Sequence, residues 1–307
     1  MSSTTVPKAQ KRPSAQPQSV FGRSLNLFYV PAMLLFAVFT IYPMLNGFLI
    51  SFTNWNGYSP NRNSVGLENY ARLFTDPIFG GALRNTLIYG LGSTVLQQVI
   101  GLGLALILNR AMAGRSGVRA IIYLPALVSP VVMGTMYYLL FQYNNGAFND
   151  IVVAFGGDRV AWLSEPNFAI LVIVLVNSFQ FVGLSMIIYL AGLQGISTSY
   201  LEAAALDGAA GAKRFFHVVL PLLQPAFATS IVFNLIGGMK LYDVIKVMTN
   251  GGPGYSTDSV STLIARMYFD NQSAGYAAAQ GVFLFLFIAV LTLLLNWLLS
   301  RFEVEEA

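Results

Sequence analysis

The chain has 307 residues, of which 55% are hydrophobic and only 10% charged, and its mean hydropathy is +0.63. Soluble domains carry about 25% charged residues, so most of this chain cannot face water. A net charge of +4 without a dense Lys/Arg face excludes a nucleic-acid footprint, and the lack of cysteine excludes disulfides, Cys-held metals and thiol catalysis. The single His217 is a poor basis for a metal site, and none is expected.

Read as membrane protein, the length accommodates six spans of about 20 residues plus loops. Residues 1–24, polar with scattered Pro, Gln and Ser, read as a disordered tail. The apolar run Leu25 to Phe52 is too long for a secretory signal core and no small-residue cleavage site follows it. It reads as an uncleaved first span kinked at Pro43. Next, Leu67, Tyr70, Ala71 and Phe74 recur at helical spacing, predicting an amphipathic helix on the membrane surface that the Asp76-Pro77 step ends. Further spans are predicted at about 85–108, 120–142, 167–193, 222–247 and 277–299, so residues 25–307 form one all-α, six-span membrane domain. Thr249 to Gly254 is dense turn chemistry. Val260, Leu263, Ile264, Met267 and Tyr268 then make another apolar helical stripe.

Basic residues set the orientation. With the N-terminus inside, the inner segments hold ten Lys and Arg against six in the outer loops. Both termini and loop 194–221 are therefore expected in the cytoplasm.

An ionisable group inside a span costs at least about 2.5–3.5 kcal/mol and generally faces a cavity or a partner. Lys240 and Asp243 are three apart on one helical face and read either as a structural ion pair or as part of a translocation path. In the fourth span Asn177, Gln180 and Ser185 interrupt an apolar run, and Asn234 lies in the fifth. Uncharged amides and hydroxyls suit a neutral polyol without the desolvation cost of a buried charge. Neighbouring aromatics such as Phe179, Phe181, Tyr189 and Tyr242 suit the apolar face of a sugar. The competing reading is that these amides hold helices together.

The polar island between the fourth and fifth spans, YLEAAALDGAAGAKRFFHVVLPLLQP, is the most specific stretch. Ser199 followed three residues later by Glu202 fits a capping box. The run of alanines favours helix, and Gly208 breaks it. A second short helix stopped by Pro221 should follow. Glu202-Ala203-Ala204, three residues, Gly208, nine residues, Val218, one residue and Leu220-Pro221 together resemble the EAA motif of ATP-binding-cassette importer permeases, where Ile usually stands in place of Val218. GLENYARLFTDP, QFVGLSMIIYLAGLQ and KLYDVIKVMTNGGPGYST resemble the carbohydrate branch of that family, so the similarity covers most of the chain beyond residue 25.

The resemblance implies a type I importer architecture in the cell membrane. It implies that the loop is a coupling helix seated in a cleft of an ATPase subunit, with Glu202, Ala203, Ala204, Asp207, Gly208, Leu220 and Pro221 as the coupling residues. Implied partners are a second, homologous permease, two ABC ATPase subunits that use ATP and magnesium, an extracytoplasmic sugar-binding protein and membrane lipid. The chain itself carries no GxxxxGK[ST] loop, so no cofactor is expected on it and no ATPase activity of its own. The candidate path residues are Asn177, Gln180, Ser185, Asn234, Lys240, Tyr242 and Asp243. Glycerol phosphate is the alternative substrate within the resemblance, and a secondary transporter working alone is the alternative outside it.

Overall fold

The computed structural model describes residues 29–301. The chain divides into two compact units, one ending at Gly47 and the other beginning at Phe48. The tail 1–24 lies outside the described residues. Among those described, the only β pairing is an isolated bridge between Thr53 and Ser64.

Four helices are long and apolar enough to cross a membrane: α1 (Tyr29–Ile50), α3 (Pro77–Leu108), α7 (Pro166–Gly195) and α13 (Ala274–Ser300). Two bent pairs bring the number to as many as six if each pair is counted as one span. In the first, α4 (Arg115–Leu127) and α5 (Pro130–Leu140) meet at 95°. In the second, α9 (Gly211–Leu222) turns by 67° into the segment Gln224–Met248, itself made of α10 (Gln224–Met239) and α11 (Asp243–Met248). Short helices α2 (Glu68–Leu73), α6 (Ala147–Ala154), α8 (Thr198–Leu206) and α12 (Val260–Phe269) fill the loops.

The core is built on α3 and α7, with α10 packed across both. Small residues let the backbones approach. At the crossing of α3 and α10, a Cβ added to Gly238 would lie 2.9 Å from the Gly90 Cα, and one added to Gly90 would lie 2.6 Å from the Met239 side chain. At the crossing of α3 and α7, a Cβ on Gly101 would strike the Ser185 side chain at 2.7 Å.

Several expectations are corrected. The second span begins at Pro77 rather than near residue 85, because Asp76 does not only end a helix. Its carboxylate accepts from the Ile78 N–H at 2.9 Å, capping α3, with Pro77 in the first turn where no N–H is missed. In α2, Leu73 is buried against the core in addition, while Leu67 and Phe74 of the predicted stripe are exposed, as side chains of a helix lying on a membrane surface are. The third span is broken: Pro130 holds Ser129 in an extended conformation (ψ 132°), and Pro125 leaves a carbonyl in α4 without its helical partner. Pro221 lies within the last turn of its helix, which ends one residue later at Leu222. A π-helical turn, Phe215–Val219, precedes it, with the Leu220 N–H bonded five residues back to the Phe215 carbonyl. The wider turn makes room for a proline ring, which otherwise clashes with the carbonyl four residues back. In α1 the π turn Ala37–Ile41 stands in the same relation to Pro43.

Candidate functional site

Between α7 and α10, α8 and α9 form a knob. Ile196 and Ser197 are extended, so the helix starts at Thr198 and the Ser197 hydroxyl caps it by accepting from the Ser199 N–H at 3.4 Å. The expected capping box of Ser199 and Glu202 therefore does not form: Glu202 lies in the second turn, too far along to reach back. Its carboxylate is exposed and free to meet a partner. The C-terminus of α8 is closed by a Schellman motif, in which the Gly208 N–H bonds the Ala205 carbonyl at 3.1 Å and the Ala209 N–H bonds the Ala204 carbonyl at 2.8 Å. Gly208 has φ of 74°, which a residue without Cβ adopts freely.

Ala204 is buried, whereas Glu202, Ala203, Asp207 and Gly208 face outward. Leu220 and Pro221 are half-buried at the far end of α9. Sequence reasoning missed Leu206. It is a large apolar group at the tip of α8, between Glu202 and Asp207, and is 91% exposed among the described residues. Its place one residue before the C-cap was the available signal.

Midway along the bundle a cavity of about 150 Å³ opens where the fifth span breaks. It gathers Asn177 from α7, Asn234 from α10, and Lys240, Tyr242 and Asp243 from the break itself, with Phe181 and Phe233 among its apolar lining. Five of the seven path candidates thus line one space. Gln180 and Ser185 do not. Gln180 is fully buried, and its amide Nε2 donates to the Val128 carbonyl at the bend of the third span, 3.2 Å away. Ser185 accepts from Asn234 Nδ2 at 2.6 Å and ties α7 to α10.

Lys240 and Asp243 make no ion pair; among the described residues the salt bridges are Arg159–Asp150 and Arg266–Asp258. The helix ends at Lys240, and Tyr242 (φ −130°, ψ −60°) redirects the chain before Asp243 opens α11. The two side chains therefore do not share the face that a continuous helix would give them. Asp243, in the first turn of α11, is placed to meet the helix's free N–H groups instead. Gln97 of α3 also lines the cavity, and sequence reasoning missed it because a lone amide in a span carries no periodic signal.

The break is held from outside by the loop before α12. Asn85 Nδ2 donates to the carbonyls of Ser256 (2.7 Å) and Asp258 (3.0 Å), and the Tyr89 hydroxyl donates to that of Thr257 (2.9 Å). Ser259 Oγ donates to the Leu241 carbonyl at 2.8 Å, inside the break. Asp258 is buried 3.4 Å from Arg266. Burial pushes its carboxyl above the ordinary value, while the Thr262 hydroxyl and the charges of Arg266 and Lys246 pull it back.

Four to six apolar spans, a knob between two of them and a polar cavity at a broken helix describe a multi-pass membrane protein. Residues 82–304 match the family of binding-protein-dependent transport system inner membrane components, and the chain belongs to it. Similar proteins include the trehalose/maltose transport system permease protein MalF of Thermococcus litoralis, 32% identical over 87% of this chain and 90% of that one. The multiple sugar-binding transport system permease protein MsmF of Streptococcus mutans is 33% identical over 90% of this chain and 95% of its own. Among solved structures, a bacterial ABC transporter involved in the import of the acidic polysaccharide alginate superposes with a TM-score of 0.80 at 25% identity, covering 92% of this chain and 96% of that one.

Proposed function

We propose that this permease subunit imports a sugar or oligosaccharide. The observation that carries the reading is the midpoint cavity, whose polar wall sets three amides beside Lys240, Tyr242 and Asp243 and whose apolar lining includes aromatic rings, a combination suited to a polyhydroxylated solute. The names of the relatives, for trehalose/maltose and for multiple sugars, support it. The chain forms half of the path and pairs with a second, homologous permease. Two ABC ATPase subunits use ATP and magnesium below it, and an extracytoplasmic sugar-binding protein delivers solute above it. This chain binds no cofactor and hydrolyses nothing. The complex belongs in the cytoplasmic (inner) membrane.

Coupling runs through the knob. ATP closes the ATPase dimer and draws two knobs together. Glu202 anchors this one electrostatically, Ala203 and Gly208 allow close approach, and Asp207, Leu220 and Pro221 complete the motif. The exposed Leu206 fills an apolar pocket of the ATPase cleft. Motion passes along α9 into the spans and turns the cavity from one side to the other.

The test is to purify the tagged chain from its own membrane under mild detergent. An ATPase subunit and a second permease should accompany it, and maltose, trehalose or lactose should stimulate the ATP hydrolysis of the complex. A stable homo-oligomer with no ATPase overturns the importer reading in favour of a transporter working alone. Stimulation by glycerol phosphate but by none of the sugars favours a second reading, to which the unpaired Lys240 at the cavity lends weight.

A further inference from the structure

The loop between the third and fourth spans carries α6, which has two unlike faces. Phe148, Ile151, Val152 and Phe155 stand at i, i+3, i+4 and i+7 along one side of it, with Asp150 nearly opposite. Ile151 is 53% exposed, and Phe155, at the C-cap, is 89% exposed. The Gly156 N–H bonds the Val153 carbonyl and the Gly157 N–H that of Val152, both at 2.9 Å. Gly156, with φ of 83°, turns the chain back there and leaves Phe155 at the end of the helix. The helix cannot roll this face inward, because Asn149 pins its other side. The buried Asn149 Nδ2 donates to the carbonyls of Gln142 (3.3 Å), Tyr143 (3.2 Å) and Val160 (3.0 Å). Its Oδ1 accepts from the Val160 N–H at 2.9 Å and from Trp162 Nε1 at 3.0 Å. A stripe of large apolar side chains is thus locked outward.

We propose that α6 lies in the membrane interface of the leaflet away from the knob, with Ile151 and Phe155 set among phospholipid acyl chains. The occupant follows from where the helix stands. α7 has 30 residues and no charged side chain between Pro166 and Gly195. At 1.5 Å per residue it is about 45 Å long, matching a bilayer of about 40–45 Å with its headgroup regions. Its first turn, at the end opposite the knob, therefore stands at headgroup depth. An unbroken run of aromatic contacts joins α6 to that turn. Phe148 stacks on Phe141 (ring centroids 4.2 Å apart), Phe141 meets Trp162 (6.0 Å), and Trp162 meets Phe168 of α7 (5.8 Å). Tryptophan and its bonded N–H suit this depth. Phe168, Leu171 and Leu175 are exposed along α7 at helical spacing, so the apolar side of α6 continues that of a span. Asp150, 3.8 Å from Arg159, is left on the side for water and headgroups. No basic residue shares the stripe, so the contact is with acyl chains rather than with headgroup charge. Phe141 and Trp162 also pack with Leu241 and Val244 at the broken fifth span, so α6 holds that break at a fixed depth. The inference needs a membrane-spanning chain and nothing about the solute.

The chain has no cysteine, so single ones can be introduced for labelling. Phe155→Cys, Ile151→Cys and Asp150→Cys are each labelled with a nitroxide in the complex as purified from its membrane, then placed in phosphatidylcholine nanodiscs. The wild-type complex carried through the same labelling supplies the background. Collision of the label with oxygen, which concentrates among acyl chains, is compared with collision with a water-soluble nickel chelate. We expect oxygen to dominate at 151 and 155 and the chelate to dominate at 150, a reversal within two turns of one helix. Phe155 is too exposed for its replacement to disturb the fold, and Ile151→Cys gives an independent reading of the same face. Asp150→Cys removes only an exposed ion pair. Dominance of the chelate at 151 and 155 puts the stripe in water and overturns the proposal. Exclusion of both reagents from 151 and 155 overturns it as well, since the stripe is then covered by protein, either a second permease or a binding protein.

Discussion

The two ends of the bundle are held by opposite means. The knob is held by bonds between near neighbours: Ser197 to Ser199, Gly208 to Ala205, Ala209 to Ala204. Its side chains are largely exposed. At the outer end the loop before α12 is held by side chains far away in sequence, with Asn85, Thr86 and Tyr89 reaching its backbone at Ser256, Thr257, Asp258 and Val260. The knob keeps its own shape and can be carried as a unit, as a transmitting part must be. The outer loop has a shape only while α3 stands beside it, so any shift of α3 is felt at the Leu241 carbonyl and hence at the cavity.

The contrast is broken most severely at the knob. Glu202→Lys should abolish uptake and sugar-stimulated ATP hydrolysis while leaving the melting temperature of the purified chain close to wild type. Gly208→Arg should do the same to transport but also lower the melting temperature, because its φ of 74° strains a residue with a Cβ by about 1–2 kcal/mol. Normal stimulation in either variant would remove the knob from the coupling path. Next comes the crossing of α3 and α10. In Gly238→Val the new side chain meets the Gly90 backbone, and overpacking of this kind costs about 1–3 kcal/mol. Thermal unfolding in detergent should shift down by several degrees, and a shift within error would mean that the helices separate freely. Asn85→Leu strips the Ser256 and Asp258 carbonyls of a shared donor, about 2 kcal/mol in loop stability. Limited proteolysis across residues 249–259 should quicken, with cleavage at the knob unchanged. Equal acceleration at both ends would show that the two are not independent.

The smallest effect is electrostatic. The Asp258 carboxyl titrates above its unfolded value, so the folded state holds the proton longer. Its contribution to stability is largest below the ordinary carboxylate pKa of about 3.9 and falls away as pH rises through the higher folded value. In wild type, loop protection in hydrogen exchange should fall as pH climbs through that window after correction for intrinsic rates. In Asp258→Asn this slope should vanish, and its persistence would assign the titration to another group.

The same contrast explains what could be read from the chain. The EAA helix, its glycine break and the stripe at Val260, Leu263 and Met267 follow from local spacing, and the structure shows α8, a left-handed Gly208 and α12 with those three side chains buried. Apolar runs of about 20 residues likewise announce spans, because the bilayer imposes their length. The burial of Leu73, the break at Lys240 and the place of Gln97 and Gln180 were not legible. Each is decided by what lies across the bundle: Leu73 by its packing against the core, Lys240 by a loop anchored on α3, and Gln180 by a carbonyl freed at a bend in another span. Ser199 was a local misreading of a different kind, since three hydroxyl residues in succession offer three caps and only the extended backbone at Ile196 and Ser197 selects one.

The contact of Gly90 with Gly238 has a mechanical consequence. Where helices interlock through side-chain ridges, sliding one past another means lifting each ridge over its neighbour. Here two backbones touch with no side chain of either glycine between them. The joint resists separation, because the contact is close, but offers little resistance to rotation about the point of touch. It works as a bearing, and it sits two residues before the break whose angle shapes the cavity.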